Sequence, residues 1–163
     1  MKKYELLKDD TKIILGRTLY RIKALRDFGN VEKGDLGGYI ESENNLSHYG
    51  NALVWGDARV WGDAEVWGNA EVWGNAEVYG NAEVYGDAVI KSTEDYIVFK
   101  NNWSSGRYFT YTKSNKMWKV GCFYGTGEEL IKKAYADSEL SGKCYEAYVK
   151  LVEQLEEIQE DKR

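Results

Sequence analysis

Between Val54 and Val89, apolar and polar positions follow an unbroken six-residue cycle: VWGDAR, VWGDAE, VWGNAE, VWGNAE, VYGNAE, VYGDAV. A period of six fits neither an amphipathic helix nor a heptad. Within each repeat, Ala-x-Val predicts a three-residue strand with two side chains on one face and one on the other. The aromatic-Gly-Asp/Asn triplet predicts the turn, since Gly tolerates positive φ and Asn or Asp can hydrogen-bond their own backbone. The frame runs backwards with weakening identity through His48–Leu53, Ser42–Ser47 and Leu36–Glu41. Short strands joined by evenly spaced turns coil on themselves, with Val and Ala inside.

The flanks carry other periods. Lys12 to Leu15 and Thr18 to Leu25 predict a hairpin about Gly16-Arg17, with Thr18, Tyr20, Ile22 and Ala24 on one face and Arg21 and Lys23 on the other. Further on, Tyr96–Lys100, Arg107–Thr112 and Met117–Tyr124 alternate as strands. Thr126 with Glu129 forms a capping box that opens a helix. Leu130, Ile131, Ala134 and Tyr135 make its apolar face, and Tyr145, Tyr148, Val149, Val152, Leu155 and Ile158 make a second stripe at helical spacing. Core packing is the expectation for that stripe, with a partner helix as the alternative.

The repeats resemble those of the hexapeptide-repeat, left-handed parallel β-helix proteins. Val54 with Ala58, and Val60 with Ala64, keep that family's aliphatic residue and the small one four places on. The chain departs from the pattern in placing Trp or Tyr where the family has Gly, with Gly one position later. A narrower resemblance joins Leu19–Phe28, Asp35–Glu41 and Asn45–His48 to prophage-encoded members with V-Y/W-G-N/D-A repeats. The C-terminal segment looks like the ends of the same proteins. The resemblance implies a mainly β chain in three parts: an N-terminal β-hairpin cap over 1–35, a short left-handed parallel β-helix over 36–91, and a small C-terminal α+β (βββα) cap over 92–163. It implies no single activity, because that fold carries acyltransferases, carbonic anhydrases and binding proteins alike.

In that family one coil takes about eighteen residues, so residue i lies under residue i+18, about 4.8 Å away. The inward columns become Leu36–Val54–Val72–Ile90, Val60–Val78 and Val66–Val84, with Ala58–Ala76 and Ala64–Ala82 beside them. Outward, Arg59 falls between Glu41 and Glu77, while Glu65 stacks on Glu83 as a like pair costing up to several tenths of a kcal/mol. Asp57, Asp63 and Asn69 lie under Asn75, Asn81 and Asp87, an alternation that supports the fold and suits calcium poorly. The aromatic columns are Trp55–Trp73, Trp61–Tyr79 and Tyr49–Trp67–Tyr85. They are either clamps over neighbouring turns, a partner surface, or platforms for carbohydrate.

Composition narrows the function. With 43% hydrophobic and 30% charged residues, the chain is that of an ordinary soluble protein. No apolar run approaches the ~20 residues of a membrane span, and Met1–Glu5 lacks a signal-peptide core, so the expected place is the cytoplasm of a bacterial host. Cys122 and Cys144 make no disulfide framework. The net charge of -5 is concentrated: residues 41–90 hold nine acids against Arg59 alone. Such a block repels nucleic acid rather than binding it.

Chemistry is sparse. A single histidine, His48, excludes a three-imidazole zinc site and is the one candidate base for an acyltransferase, but its place under Val66 argues for burial. Gly125-Thr126-Gly127 could hold an anion, yet Glu128 and Glu129 already fill that electrostatic role. The expectation is no enzyme, no metal and no cofactor. The chain is expected to be a phage- or mobile-element-derived interaction protein that inhibits a host nucleic-acid-handling or defence protein. Glu65, Glu71, Glu77 and Glu83, with Trp61, Trp67, Trp73, Tyr79 and Tyr85, would meet a basic groove on that partner. The alternatives are a His48 acyltransferase and a homo-oligomeric virion or tail component. Should the repeats be a spacer, binding falls to the C-terminal part around Trp103, Arg107 and Trp118.

Overall fold

The computed structural model describes residues 1–162. A hairpin of β1 (Tyr4–Ile14) and β2 (Arg17–Ala24) leads into β3 (Leu36–Ile40). Seven two-residue strands follow: β4 (Leu53–Val54), β5 (Arg59–Val60), β6 (Glu65–Val66), β7 (Glu71–Val72), β8 (Glu77–Val78), β9 (Glu83–Val84) and β10 (Val89–Ile90). Strands β11 (Tyr96–Lys100), β12 (Tyr108–Thr112), β13 (Met117–Val120) and β14 (Phe123–Gly125) precede helices α1 (Gly127–Asp137) and α2 (Glu139–Glu160).

The expected class, a mainly β chain built on one left-handed parallel β-helix, is not what forms. The chain is mixed α/β: its 14 strands divide among four separate sheets, ordered β1-β2-β3-β5-β8, β10-β7-β4, β6-β9 and β11-β12-β13-β14. Two helices of 11 and 22 residues complete it. The reason lies in both halves. Each repeat contributes two residues to a ladder rather than three, because its Ala closes the turn, as in the Ala58 N–H to Trp55 carbonyl bond of 3.2 Å. The C-terminal residues, for their part, build a core of their own, in which Phe109, Trp118, Leu130, Tyr145 and Val149 are buried.

Successive repeats step from sheet to sheet, and every third returns. Val54 pairs with Val72 and Val72 with Ile90, Val60 with Val78, and Val66 with Val84, all in parallel. These side chains and the alanines between them are fully buried in one core with Tyr4, Ile22, Ile40 and Leu46. The turn glycines from Gly56 to Gly86 lie at φ between 62° and 70°, where a side chain would be strained.

The spacing of eighteen fails before Asn51. Ile40, not Ser42, pairs with Val60, and Leu46, not His48, bridges to Val66, a spacing of twenty. The backbone shows where the frame slips: Ser47 N–H reaches a carbonyl nineteen residues on, whereas Asn51 N–H reaches one seventeen residues on. His48 and Tyr49 are therefore two additional residues in one corner. As a result Leu36 leaves the inner column, pairs with Lys23 and is half exposed. Arg59 lies beside Tyr39 and Glu77, and Glu41 instead binds Arg17 at 2.9 Å.

Both rims of the stacked repeats are closed by side chains. At the lower rim Tyr4 hydroxyl donates to the Leu46 carbonyl (2.6 Å), and Lys3 Nζ to that of Ala52 (2.6 Å). Asn45 Nδ2 donates to the carbonyls of Gly62 (3.1 Å) and Ala64 (2.8 Å). At the upper rim Thr93 Oγ1, Thr110 Oγ1 and Ser114 Oγ accept from the N–H groups of Glu77, Glu83 and Val89. Tyr96 hydroxyl donates to the Glu77 carbonyl and accepts from Tyr79 N–H, as a peptide of a further strand would. Thr110→Val keeps shape and burial but strips the acceptor from Glu83 N–H. It should cost about 1–2 kcal/mol, or about 2–8 °C in Tm by thermal denaturation, and Thr110→Ser should cost less.

Candidate interaction surface

Because each repeat advances by one sheet, the four glutamates do not share a face. Glu71 stands in the three-stranded sheet, Glu77 in the five-stranded one, and Glu65 and Glu83 are neighbours in the two-stranded one. Two of them are already engaged: Glu71 accepts from Trp73 Nε1 at 2.9 Å, and Glu77 pairs with Arg59 Nη2 at 2.9 Å. The structure thus brings together Glu65 and Glu83 and separates Glu71 and Glu77 from them.

The aromatic residues are largely turned inward. Trp61 stacks on Tyr79 at 4.9 Å and is buried with Leu19 and Tyr39 under the hairpin, while Tyr79 keeps 44% of its surface exposed. Trp73 meets Trp55 at 6.0 Å against Phe28 and Leu53. Trp67 and Tyr85 meet edge to face at 5.5 Å, with Tyr124 closing on Tyr85 at 4.9 Å. Tyr49 stands apart from this column at 86% exposed, because it belongs to the two-residue surplus. In the C-terminal sheet Trp118 is buried, whereas Trp103 and Arg107 are exposed.

What remains is a notch. Asp63, Glu65, Asn81 and Glu83 form its floor and one wall, Arg107 and Tyr108 the other, around a cavity of about 340 Å³. Strand β12 reaches this place because Thr110 caps Glu83. Lys119 Nζ lies over the Trp67 and Tyr85 rings at 5.7 and 5.6 Å and donates to the Gly121 carbonyl. Among the described residues no ion pair within 4.0 Å reaches Glu65 or Glu83. Burial raises the Glu65 carboxyl above the ordinary carboxylate range, and the Glu83 charge raises it further against the opposing pull of Lys119. The periodic pattern places Asn81 over Asp63, but Tyr108 and Lys119 were beyond its reach, since nothing local ties residue 108 or 119 to residue 83.

His48 is committed to structure. Nδ1 accepts from the Lys3 N–H (3.1 Å), which leaves the proton on Nε2, facing Glu43 at 3.2 Å, and the ring stacks on Tyr4 at 4.2 Å. Neither nitrogen is left to take a proton from a substrate. Among the described residues no three His, Cys, Asp or Glu side chains are grouped to hold a metal ion, and no helix is long and apolar enough to cross a membrane. Comparison with protein-family models and with curated proteins finds no match to this chain.

A carboxyl with a raised folded-state pKa is bound to its proton more tightly in the native state, so stability falls as pH rises between the unfolded and folded values. The Glu65 penalty is therefore complete at neutral pH and absent below the ordinary Glu range. Glu65→Gln should melt about 1–2 °C above the parent at pH 7, a gain of about half a kcal/mol. The difference should shrink on acidification through the ordinary Glu range near pH ~4.3 and vanish by about pH 3, where Glu65 is protonated in both states.

Proposed function

We propose that the protein is a non-enzymatic interaction protein of phage or mobile-element origin, acting in the cytoplasm of a bacterial host. It holds a basic segment of a host protein in the Glu65–Glu83 notch, and nucleic-acid-handling or defence proteins are the class with such segments. The observation that carries this reading is the pair of carboxylates in parallel register, with no ion pair on either, at the mouth of the cavity. Two like charges about 4.8 Å apart repel, and a Lys or Arg of a partner relieves that repulsion as it docks. Half-exposed Tyr108 at the rim supplies an apolar edge beside the charge. The aromatic corners named in the sequence contribute rigidity to this surface rather than contact.

Capture from bacterial lysate tests the reading. Binding should hold at about 0.1 M salt and weaken toward 1 M, as the Debye length falls from about 10 Å to about 3 Å. Glu83→Lys places an amine beside Glu65, so the fold should be as stable as the parent or more so while capture is lost. His48→Ala, which lines no part of the notch, should capture the same protein. A Glu83→Lys protein that captures what the parent captures sinks the proposal.

A further inference from the structure

Helix α2 is apolar on two sides. Tyr145, Val149 and Val152 are buried in one core with Phe109 and Trp118 of the sheet and Leu130 and Ala134 of α1, and Gly142 is buried against Tyr135 of α1. About 140° away at 100° per residue, Leu140, Cys144, Ala147, Leu151, Leu155 and Ile158 succeed one another at intervals of three and four. That second stripe is bare: Leu140 is 60% exposed, Leu151 42%, Leu155 46% and Ile158 52%. Trp103, 76% exposed, stands beside it and shares with Lys143, Cys144, Ala147 and Leu151 a cavity of about 390 Å³. The buried side already serves both neighbours that α2 has within the chain, helix α1 and the C-terminal sheet, so a second, bare stripe calls for a further neighbour.

We propose that this stripe seats a second copy of the chain, the two α2 helices lying antiparallel. The proposal is independent of the notch. Charge selects both occupant and direction. Lys143 and Lys150 border the stripe on one flank, and Glu157 continues the same flank toward the C-terminal end. Setting Ala147 against Leu151 of the second copy also sets Leu140 against Ile158 and brings Lys143 opposite Glu157, twice by symmetry. Ala147 lets the axes approach closely at the centre. Lys150 meets its own copy there, but it lies 3.7 Å from the Glu146 carboxylate of its own helix, which offsets the repulsion. A parallel pair would collect lysines at one end and Glu157 and Glu160 at the other, and would align the helix dipoles. A membrane surface fits poorly, since an interfacial helix is rich in Lys and Arg on its polar side and α2 carries six Glu against two Lys.

Sedimentation equilibrium of the full chain at about 100 μM, well above a micromolar Kd, should give twice the 18.7 kDa chain mass. Leu151→Asp should yield a monomer with unchanged circular dichroism. Lys143→Glu and Glu157→Lys, both at exposed positions, should each weaken the dimer about 5-fold or more. The double variant, which restores opposite charges across the pair, should recover the parent affinity. Glu83→Lys should dimerise like the parent, which separates this proposal from the notch. A parent protein that is monomeric at that concentration overturns the proposal, as does a double variant no tighter than its weaker single.

Discussion

A parallel ladder leaves peptide groups along its outer strands with hydrogen bonds directed at nothing, and here each strand is only two residues long. An unmet buried N–H or C=O costs about 1–3 kcal/mol, while two residues of ladder gain little to set against it. Adding another strand would only shift the open rim by one layer. Side-chain oxygens and amines end it. Tyr96 does so most completely, its one hydroxyl serving both Glu77 and Tyr79. The two flanking segments are held where they can deliver these groups. Lys3, Tyr4 and Asn45 come from the N-terminal side, and Thr93, Tyr96, Thr110 and Ser114 from the C-terminal side. The two turns that pass from ladder to flank are alike, each opening on a serine (Ser42, Ser92) whose hydroxyl accepts from the backbone two residues on.

Closing the rim also makes the notch. Strand β12 lies across β9 because Thr110 must reach Glu83 N–H, and this carries Arg107 and Tyr108 to the far wall opposite the carboxylates. The Glu65–Glu83 repulsion is a local cost of the repeat, which places identical residues in register wherever two glutamates recur eighteen apart. In the other two columns no second glutamate recurs: Glu77 stacks on Arg59 and pairs with it, and Glu71, between Leu53 and Val89, accepts a hydrogen bond from Trp73. Only at the notch do two glutamates meet in register.

The period of six and the pairing of positions eighteen apart were legible from Leu53 to Ile90, because Val, Ala and the turn glycines repeat without interruption. The corner holding His48 and Tyr49 was not. Its surplus of two residues hides behind the Gly50-Asn51-Ala52 triplet, which matches the repeat and suggests an unbroken frame. Every earlier assignment, Leu36, Glu41, Ser42 and His48 among them, inherits that displacement. The fold class was misjudged for a different reason: a striking period over a third of the chain says nothing about how the remaining strands divide into sheets or how far the helices build a separate core. In α2 the core stripe of Tyr145, Val149 and Val152 was readable, but Leu155 and Ile158, grouped with it by spacing alone, face the other way. From Val149 on the steps are all of three residues, each about 60° short of a full turn, so the two steps past Val152 carry the stripe from the buried side to the exposed one.

Side chains cap both rims of the stacked repeats, so a partner meets side chains there rather than a free ladder. The two surfaces left for association differ in kind. The attraction proposed at the notch is coulombic, strongest at low salt and tied to approach rate. Along α2 it is apolar, insensitive to salt except at the Lys143–Glu157 pairs, and governs how long a complex lasts. The long acidic segment therefore does not act as one extended field. Its carboxylates are split among three sheets, and Glu41, Glu43, Asp57 and Glu77 are ion-paired within the chain, while Glu65 and Glu83 stand together with no such pair. The two proposed contacts are compatible, because neither uses a residue that the other requires.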